Sequence, residues 1–398
     1  MKRLRWLGLG VLFLVAVALV VNEFRPVGAV PALQTIGSST AAPGGAVPVP
    51  WPASAQAAIG GEDDGAIASS LDALPRPIAS VAKVMTALVA LDEKPLKEGE
   101  QGPAITISAD DVTEYQQEKA NGESVLVVQP GEQLTEYQTL QGLLIPSGNN
   151  IAGLLARWAS GSVDAHVQRM NAKAKALGLS RTTFADVSGL SEKTVSVPAD
   201  LVRLGQEALK SPVLAAIVQQ EQAVLPVAGV QPNVNYALGQ EGIFGIKTGN
   251  IAAGGAIYLF AGNVQLGTGT KIYVVGAVQG LSTLDGAFSA AKALLRAART
   301  SLQVLHVVSK NQSVGRYDLP WGGGSDVVAT QDLDVLVWAG TVVRMSLRAD
   351  AVSPPVSPRT RLGSLHVTAG DAAFDLPVAN ADQLVAPGRL ARLTRVTW

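Results

Sequence analysis

The hydrophobic pattern changes its period near Gly242, and this change limits the possible fold more than any other feature. Before Gly242, apolar residues recur at steps of three and four, as in 163–177, which predicts amphipathic helices. After it, runs rich in Ile, Val, Tyr and Phe predict strands at 243–248, 255–264 and 271–280. A helix is predicted at 283–300. The sequence therefore predicts an α+β domain in which helices cover a sheet.

The rest of the chain after residue 300 is predicted to form a small all-β domain, 301–398. Its apolar runs are short and separated by turns, as is typical of such domains. They lie at 304–308, 327–329, 335–338, 342–347 and 365–367. A chain of 398 residues that is 47% hydrophobic has enough apolar material for roughly two or three domains.

The first 28 residues are predicted to direct export. Lys2, Arg3 and Arg5 precede sixteen uncharged residues at 6–21, a length between a signal-peptide core and a membrane span. A cleaved signal peptide and a retained anchor both remain open, and a buried core helix fits the basic flank less well. Residues 29–50, rich in Pro, Ala and Gly, are predicted to be a flexible linker.

Composition excludes several classes of function. A net charge of -1 argues against nucleic-acid binding, which normally requires a basic face. The absence of cysteine excludes thiol catalysis, disulfides and zinc-thiolate sites. His166 is the one histidine placed before the end of the predicted motifs, and the helix 163–177 is predicted to present it on its polar side, so a Ser-His-Asp triad is not favoured.

Ser80 and Lys83 are predicted to lie in the first turn of a helix that begins near Pro77. Residues three positions apart are neighbours on a helix surface, so the amine of Lys83 can reach the hydroxyl of Ser80. Ser289 and Lys292 have the same spacing on another predicted helix. The pair alone therefore does not identify a site.

Ser147 and Asn149 are predicted to lie on a turn. Pro146 ends the preceding helix, and an apolar helix is predicted at 151–159. Ser, Gly and Asn also form ordinary connections between helices, and the tripeptide 309–311 has the same pattern. The turn alone therefore leaves a functional and a purely structural interpretation open.

The region before this turn is predicted to hold short strands and a polar loop at 104–128. A helix then begins at Thr135, where Thr135 and Gln138 have the spacing of a capping box.

Lys247, Thr248 and Gly249 are predicted to lie on a strand. Strict alternation sends Lys247 and Thr248 to opposite faces of a sheet, so both can serve one site only if the strand shows that site an edge. A strand that simply ends in a turn is the other interpretation.

In this order, the three groups resemble the S-x-x-K, S-x-N and K-T-G elements of penicillin-binding proteins and serine β-lactamases. Over about 51–300 the chain is similar to exported D-alanyl-D-alanine carboxypeptidases. The resemblance implies a penicillin-binding/β-lactamase-like transpeptidase fold, with an antiparallel sheet flanked by a helical cluster. Val81 and Ala82 replace the more common threonines, and Asn150 stands where aspartate is frequent. Neither departure removes a catalytic group.

The resemblance implies a covalent mechanism with Ser80 as the nucleophile. Lys83, in its neutral form, would take the proton of Ser80, and burial together with the nearby cation Lys247 would lower the pKa of Lys83. Ser147 would relay the proton to the departing amine. Asn149 would hold Lys83 or the substrate amide.

Substrate binding is assigned to the third motif. Lys247 and Thr248 would receive the terminal carboxylate of the peptide. Gly249 would let the substrate backbone approach the strand. By the same resemblance, the backbone N–H groups of Ser80 and Asn250 would form the oxyanion hole.

The expected partners are a peptidoglycan stem peptide ending in D-Ala-D-Ala, β-lactams as covalent inhibitors and, if residues 6–21 are retained, the cytoplasmic membrane. No cofactor, metal or nucleic acid is expected. The expected location is the outer face of the cytoplasmic membrane or the cell wall.

Two other functions remain possible. A β-lactamase-like hydrolase of this fold typically carries a glutamate four residues before an asparagine. None of the glutamates between the second and third motifs has that neighbour: Glu192, Glu207, Glu221 and Glu241. A non-catalytic cell-wall-binding protein is the other possibility, and the intact Ser80, Lys83, Ser147 and Lys247 argue against it.

Overall fold

A computed structural model describes residues 2–45, 48–62, 66–70, 73–267 and 269–394. The chain divides into two compact units. The larger unit is Gly45–Gln303, and the β-rich unit combines Met1–Gly44 with Val304–Trp398. All three motifs, and the whole of the predicted catalytic segment 51–300, fall within the larger unit.

Helices occur in both units. In chain order the helices are α1 (Lys2–Phe24), α2 (Ala82–Glu93), α3 (Ala109–Ala120), α4 (Glu136–Leu144), α5 (Asn149–Ser160), α6 (Val163–Ala176), α7 (Pro198–Lys210), α8 (Pro212–Val218), α9 (Leu284–Ser301) and α10 (Arg389–Thr394). Of these, α2 to α9 lie in the larger unit, and α1 and α10 lie in the β-rich unit. Short 3₁₀ segments lie at Ala79–Val81 and Gln240–Gly242.

Strands occur in both units. In chain order they are β1 (Leu33–Gln34), β2 (Ser39–Ala41), β3 (Gln56–Gly60), β4 (Ala66–Ser69), β5 (Arg76–Pro77), β6 (Ala104–Thr106), β7 (Gln133–Thr135), β8 (Val195–Ser196), β9 (Gln222–Leu225), β10 (Gly229–Pro232), β11 (Ile243–Ile251), β12 (Gly255–Gln265), β13 (Lys271–Leu281), β14 (Leu302–Val308), β15 (Ser313–Asp318), β16 (Gly324–Ala329), β17 (Leu333–Trp338), β18 (Val342–Ala349), β19 (Arg361–Ala369) and β20 (Ala372–Asn380).

The sheet of the larger unit is antiparallel, with the order β11-β12-β13-β3-β4. Helix α7 covers one face, where a Cβ on Gly205 would lie 3.0 Å from the Leu259 side chain. Helix α9 covers the other, where the Leu295 side chain would lie 2.7 Å from a Cβ on Gly262. Leu259 and Gly262 are an odd number of positions apart on β12 and so face opposite sides. The predicted helix-flanked antiparallel sheet is confirmed.

Helix α2 is the central helix of this unit. Its residues from Ala82 to Ala90 are all buried, in a core shared with α4, α5, α6 and α7. A helix buried all round is usually apolar, because burial of an unpaired charge is costly. Lys83 lies within this buried stretch and therefore requires polar partners.

The β-rich unit contains a seven-stranded antiparallel sheet with the order β1-β15-β16-β20-β19-β18-β2. A ribbon of β14 and β17 accompanies it. Its core is formed by the inward residues of these strands, including Val314, Val343, Leu365 and Val378. The predicted β-rich character of the C-terminal region is confirmed.

The predicted flexible linker at 29–50 is wrong for residues in the β-rich unit, because β1 pairs with β15 and β2 pairs with β18. The Gln34 side chain also bonds to the backbone of Met345 and Leu347. These strands are two and three residues long, and most of their side chains are exposed. They are held mainly by backbone hydrogen bonds, so their sequence carries no hydrophobic alternation. Residues 46–47 lie outside the described part.

The prediction of short strands and a polar loop at 104–128 is confirmed for β6 at Ala104–Thr106 and is wrong for Ala109–Ala120, which form α3. Tyr115 is its one buried residue, so the helix has no apolar stripe for a periodicity argument to detect. Its start is nevertheless encoded, since Ser108 and Asp111 form a complete capping box.

Helix α1 contains the predicted signal or anchor segment. Met1 and the side chains of residues 2–9 and 11 lie outside the described part of the chain. Among the described residues, none of the helices combines the length and apolar character needed to cross a membrane. The choice between cleaved signal and retained anchor stays a prediction.

Candidate active site

Ser80 lies in the 3₁₀ segment Ala79–Val81, which leads directly into α2. Pro77, predicted as the helix start, instead ends β5, which pairs with β8. Helical structure therefore begins slightly later than predicted, and Ser80 still occupies its first turn. The Ser80 side chain is partly exposed, whereas Lys83 is fully buried.

The amine of Lys83 joins the first two motifs. Its Nζ lies 2.8 Å from Ser80 Oγ, 2.6 Å from Asn149 Oδ1 and 3.4 Å from Ser147 Oγ. These contacts supply the polar partners that a buried amine requires. The packing of α2 against α5 thus brings the Lys83 amine together with two hydroxyl groups and one side-chain amide in one cluster.

The turn between α4 and α5 fixes the second motif. Ser147 has a φ of 68°, a left-handed conformation, and Gly148 is the N-cap of α5. The Gly148 N–H donates to the Gly142 carbonyl at 3.0 Å, and the Asn149 N–H donates to the Ser124 carbonyl at 2.8 Å. The predicted turn is confirmed, and so is the capping box that starts α4.

Asn150, where aspartate is frequent in the resembling family, is a structural residue. Its Nδ2 donates to the Leu126 carbonyl and its Oδ1 accepts from the Leu126 N–H, both at 2.9 Å. Both ends of an amide are needed for this pairing, which a carboxylate could not reproduce.

The third motif lies on β11, the edge strand of the sheet, beside the Ser80 segment. A Cβ on Gly249 would lie 3.0 Å from the Ile78 carbonyl oxygen and 3.1 Å from the Ser80 nitrogen. Glycine therefore permits this close approach of two backbones. Lys247 and Thr248 are buried, Lys247 Nζ donates to the Thr248 carbonyl at 3.1 Å, and Asn250 is exposed. The expected edge position of the motif is confirmed.

Burial dominates the electrostatics of the two lysines. It lowers the pKa of Lys83 to about 7, against the opposing effect of Asp186, Glu118 and Glu123, whose negative charges raise it. Burial, followed by the charge of Lys83, holds the pKa of Lys247 well below its usual range. Burial therefore lowers the pKa of Lys83 as expected, whereas the expected contribution of Lys247 is not among the causes of that shift.

Sequence reasoning missed a set of residues around these motifs. Asp186 accepts hydrogen bonds from Ser188 and Thr194 in the loop that precedes α7. In the same loop Gly189 has a φ of 82°, and a Cβ there would lie 1.7 Å from the Ala79 carbonyl oxygen. A glycine is therefore required against the segment that carries Ser80. The sequence around Asp186 has a turn signature but no feature that points to Ser80.

The other candidate groups lie in different surroundings. His166 is fully buried rather than on a polar face, with Nε2 3.2 Å from the Thr86 carbonyl and Nδ1 2.9 Å from Ser160 Oγ. Burial lowers its pKa to about 4. Lys292, of the second S-x-x-K match, bonds to Gln240 rather than to a serine. Among the described contacts, the Lys83 amine is therefore the basic group next to Ser80.

The amino-acid sequence is similar to those of known D-alanyl-D-alanine carboxypeptidases. The sequence model of a family described as D-alanyl-D-alanine carboxypeptidase matches residues 52–275. The chain is similar to D-alanyl-D-alanine carboxypeptidase DacF of Bacillus subtilis, with 26% identity over 80% of this chain and 82% of the relative. A Mycobacterium tuberculosis enzyme named D-alanyl-D-alanine carboxypeptidase is 36% identical over 46% of this chain and 60% of its own length.

Comparisons of structure identify the same fold. Penicillin binding protein 5 from Haemophilus influenzae aligns with a TM-score of 0.68 at 17% identity, over 86% of this chain and 100% of that chain. The Streptomyces K15 DD-transpeptidase aligns with a TM-score of 0.55 at 25% identity, over 63% of this chain and 98% of that chain. The match to the first of these extends beyond the larger unit.

Proposed function

The chain belongs to the D-alanyl-D-alanine carboxypeptidase family of serine enzymes, and we propose that it cleaves the terminal D-alanine from peptidoglycan stem peptides through an acyl-enzyme on Ser80. The contact of 2.8 Å between Lys83 Nζ and Ser80 Oγ carries this proposal. A serine is a weak nucleophile unless a base accepts its proton, and Lys83 is the base in contact with it.

In the acylation step, Ser80 Oγ attacks the carbonyl carbon between the two D-alanines while neutral Lys83 accepts the hydroxyl proton. The C–N bond then breaks, and the amine of the departing D-alanine receives a proton through Ser147 from Lys83. Ser147 Oγ lies 3.4 Å from Lys83 Nζ, within reach of such a transfer. Water or an acceptor amine subsequently releases the acyl group and restores Ser80.

Negative charge develops on the carbonyl oxygen in this step, and hydrogen-bond donors directed at that oxygen are needed to stabilise it. We assign that role to the backbone N–H groups of Ser80 and Asn250, since β11 runs directly beside the Ser80 segment. Lys247 and Thr248 would bind the terminal carboxylate, and Gly249 leaves room for the peptide backbone. Asn149 would hold Lys83 in place through its Oδ1.

The proposed site of action is outside the cytoplasm. Three basic residues followed by the apolar segment 6–21 support export, by a cleaved signal or by an anchor at the cytoplasmic membrane. An exported enzyme would meet its peptidoglycan substrate at the outer face of that membrane or in the cell wall. β-Lactams, which mimic an acyl-D-Ala-D-Ala, would acylate the same serine.

Incubation with penicillin should add one penicillin mass to the protein, and peptide mapping should place it on Ser80. The reason is that Ser80 contacts a buried amine, whereas Ser289, the other S-x-x-K serine, has a lysine that bonds to Gln240. Intact-mass spectrometry followed by proteolytic mapping makes the measurement. Unmodified protein after prolonged incubation, or label on Ser289, would contradict the proposal.

The rate of acylation should rise with pH and level off above about 7, the pKa of Lys83. Only the neutral amine can accept the proton of Ser80, and below the pKa the neutral fraction falls about tenfold for each pH unit. Stopped-flow measurement with a fluorescent penicillin between pH 5 and 9 tests this, because the antibiotic carries no group that titrates in that range. A rate independent of pH would remove a titrating Lys83 from the step.

A further inference from the structure

Glu123 lies behind Asn149, on the side away from Lys83. Its Oε2 accepts a hydrogen bond from Asn149 Nδ2 at 2.9 Å, while Asn149 Oδ1 accepts from Lys83 Nζ at 2.6 Å. The three side chains form a continuous chain of contacts that ends at Ser80, 2.8 Å beyond the amine. Glu123 is partly buried and does not contact Ser80 through any described hydrogen bond.

The chemistry of Glu123 dictates which end of the Asn149 amide faces Lys83. An ionised carboxylate only accepts hydrogen bonds, so it can pair with the NH₂ end of the amide but not with the oxygen end. The amide oxygen must then face Lys83. In that orientation it accepts an N–H of the neutral lysine and leaves the lysine lone pair free for the Ser80 hydroxyl.

The reversed amide would impair the base. Its NH₂ group would point at Lys83 and would compete with the Ser80 hydroxyl for the single lone pair of a neutral amine. Its oxygen would meet the carboxylate of Glu123 without a proton between them. Removal of Glu123 eliminates this penalty and permits both orientations.

The segment that carries Glu123 is itself fixed to the second motif. Asn121 Nδ2 donates to Glu123 Oε1 at 3.2 Å, so both carboxylate oxygens are used. One residue further on, the Ser124 carbonyl accepts from the Asn149 N–H at 2.8 Å. Asn149 is therefore hydrogen-bonded to this segment through both its backbone and its side chain.

We propose that Glu123 is a positioning residue of the acylation step, which orients the Asn149 amide and, through it, the lone pair of Lys83 toward Ser80. The inference rests on the proposed role of Lys83 as the base. Glu123 lies in the connection that follows α3 and belongs to none of the three sequence motifs.

Charged groups on four elements face Lys83, and they affect how a test of the Glu123 proposal must be designed. The negative charges of Asp186 before α7, Glu118 on α3 and Glu123 in the connection after it raise the pKa of Lys83, and Lys247 on β11 is basic. Burial raises the pKa of Glu118 itself to about 7. Loss of the negative charge at Glu123 should therefore lower the pKa of Lys83. The acidic limb is the pH range in which the acylation rate rises with pH. It should move to lower pH in Glu123→Ala and in Glu123→Gln.

The experiment measures acylation by a fluorescent penicillin from pH 5 to 9 in the full chain and in Glu123→Ala, Glu123→Gln and Glu118→Gln. Above the limb, Glu123→Ala should acylate roughly tenfold more slowly than the unmutated chain, since one charged hydrogen bond is lost from an intact site. Glu123→Gln, whose amide can still accept from Asn149, should lose less. Glu118→Gln removes a neighbouring carboxyl group but no partner of Asn149, so it should keep the plateau. Burial raises the pKa of Glu118 to about 7, so this group is largely neutral along the acidic limb, and its loss should move the limb less than the loss of Glu123.

Thermal unfolding of each variant verifies that the fold is retained. Equal plateau rates for the unmutated chain and both Glu123 variants would overturn the positioning role, and so would an equal plateau loss in Glu118→Gln. A lowered fraction of active protein with an unchanged rate constant and limb would likewise assign Glu123 to stability. Failure of the unmutated chain to acylate at Ser80 would instead refute the proposed function itself.

Discussion

Lys83→Ala should slow acylation of Ser80 by about 10²- to 10⁴-fold, the range that a positioned general base contributes. Lys83 Nζ is the one basic nitrogen among the described contacts of Ser80 Oγ, and His166 is held elsewhere by Thr86 and Ser160. Lys247, the other lysine of the site, donates to the Thr248 carbonyl and has no described hydrogen bond to Ser80. Labelling with penicillin at pH 8, measured over hours by intact mass, has the range needed for so large an effect.

Lys292→Ala is the matched control, because Lys292 has the same sequence spacing to a serine and lies on a helix of the same unit. It should acylate at the rate of the unmutated chain. Truncation of Lys83 also leaves a small cavity in α2, so circular dichroism and thermal unfolding must accompany the measurement. A folded Lys83→Ala protein that acylates at a near-normal rate would remove Lys83 from the mechanism.

A peptide ending in D-Ala-D-Ala amide should react tenfold to a few hundredfold more slowly in kcat/KM than the free acid. The free carboxylate gains charge-assisted hydrogen bonds from Lys247 and Thr248, each contributing about 1.5–3 kcal/mol. Burial and Lys83 lower the pKa of Lys247 in the empty site. A bound carboxylate favours the charged lysine and thereby reverses that effect, which the neutral amide cannot do.

Lys247→Gln should erase most of this preference, and its main effect should fall on the acid. Lys271→Gln provides the control, since Lys271 is an exposed lysine on β13 of the same sheet. Release of D-alanine or its amide, followed by chromatography, gives both rates. Equal kcat/KM for acid and amide in the unmutated chain would rule out recognition of the carboxylate while leaving the acyl-enzyme intact.

The sequence predicted the motif residues better than their surroundings. Ser80 and Lys83 are neighbours through helix geometry alone, and Pro146 marks the turn that carries Ser147. The edge position of β11 followed from the need of Lys247 and Thr248 to serve one site. Each of these inferences depends on a few consecutive residues, so no knowledge of the tertiary structure was required.

Features that depend on contacts between distant segments were not predictable. Glu123 belongs to a polar region that was predicted as strands and loop, and only the packing of that region against α5 brings it to Asn149. Gly189 is required by the backbone of Ala79, more than a hundred residues earlier. The charges of Asp186, Glu118 and Glu123, which oppose the effect of burial on the pKa of Lys83, likewise come from segments that no local pattern connects to this lysine.

The positions of β1 and β2 have a consequence for biosynthesis. These two strands are the outermost strands of the seven-stranded sheet, yet every strand between them lies after Val304 in the chain. The ribosome therefore produces both borders of the sheet first, then the entire larger unit, and the centre of the sheet last. The larger unit is one continuous stretch and can fold as soon as it emerges. The first residues of the β-rich unit must stay unpaired until the strands after Val304 have been synthesised.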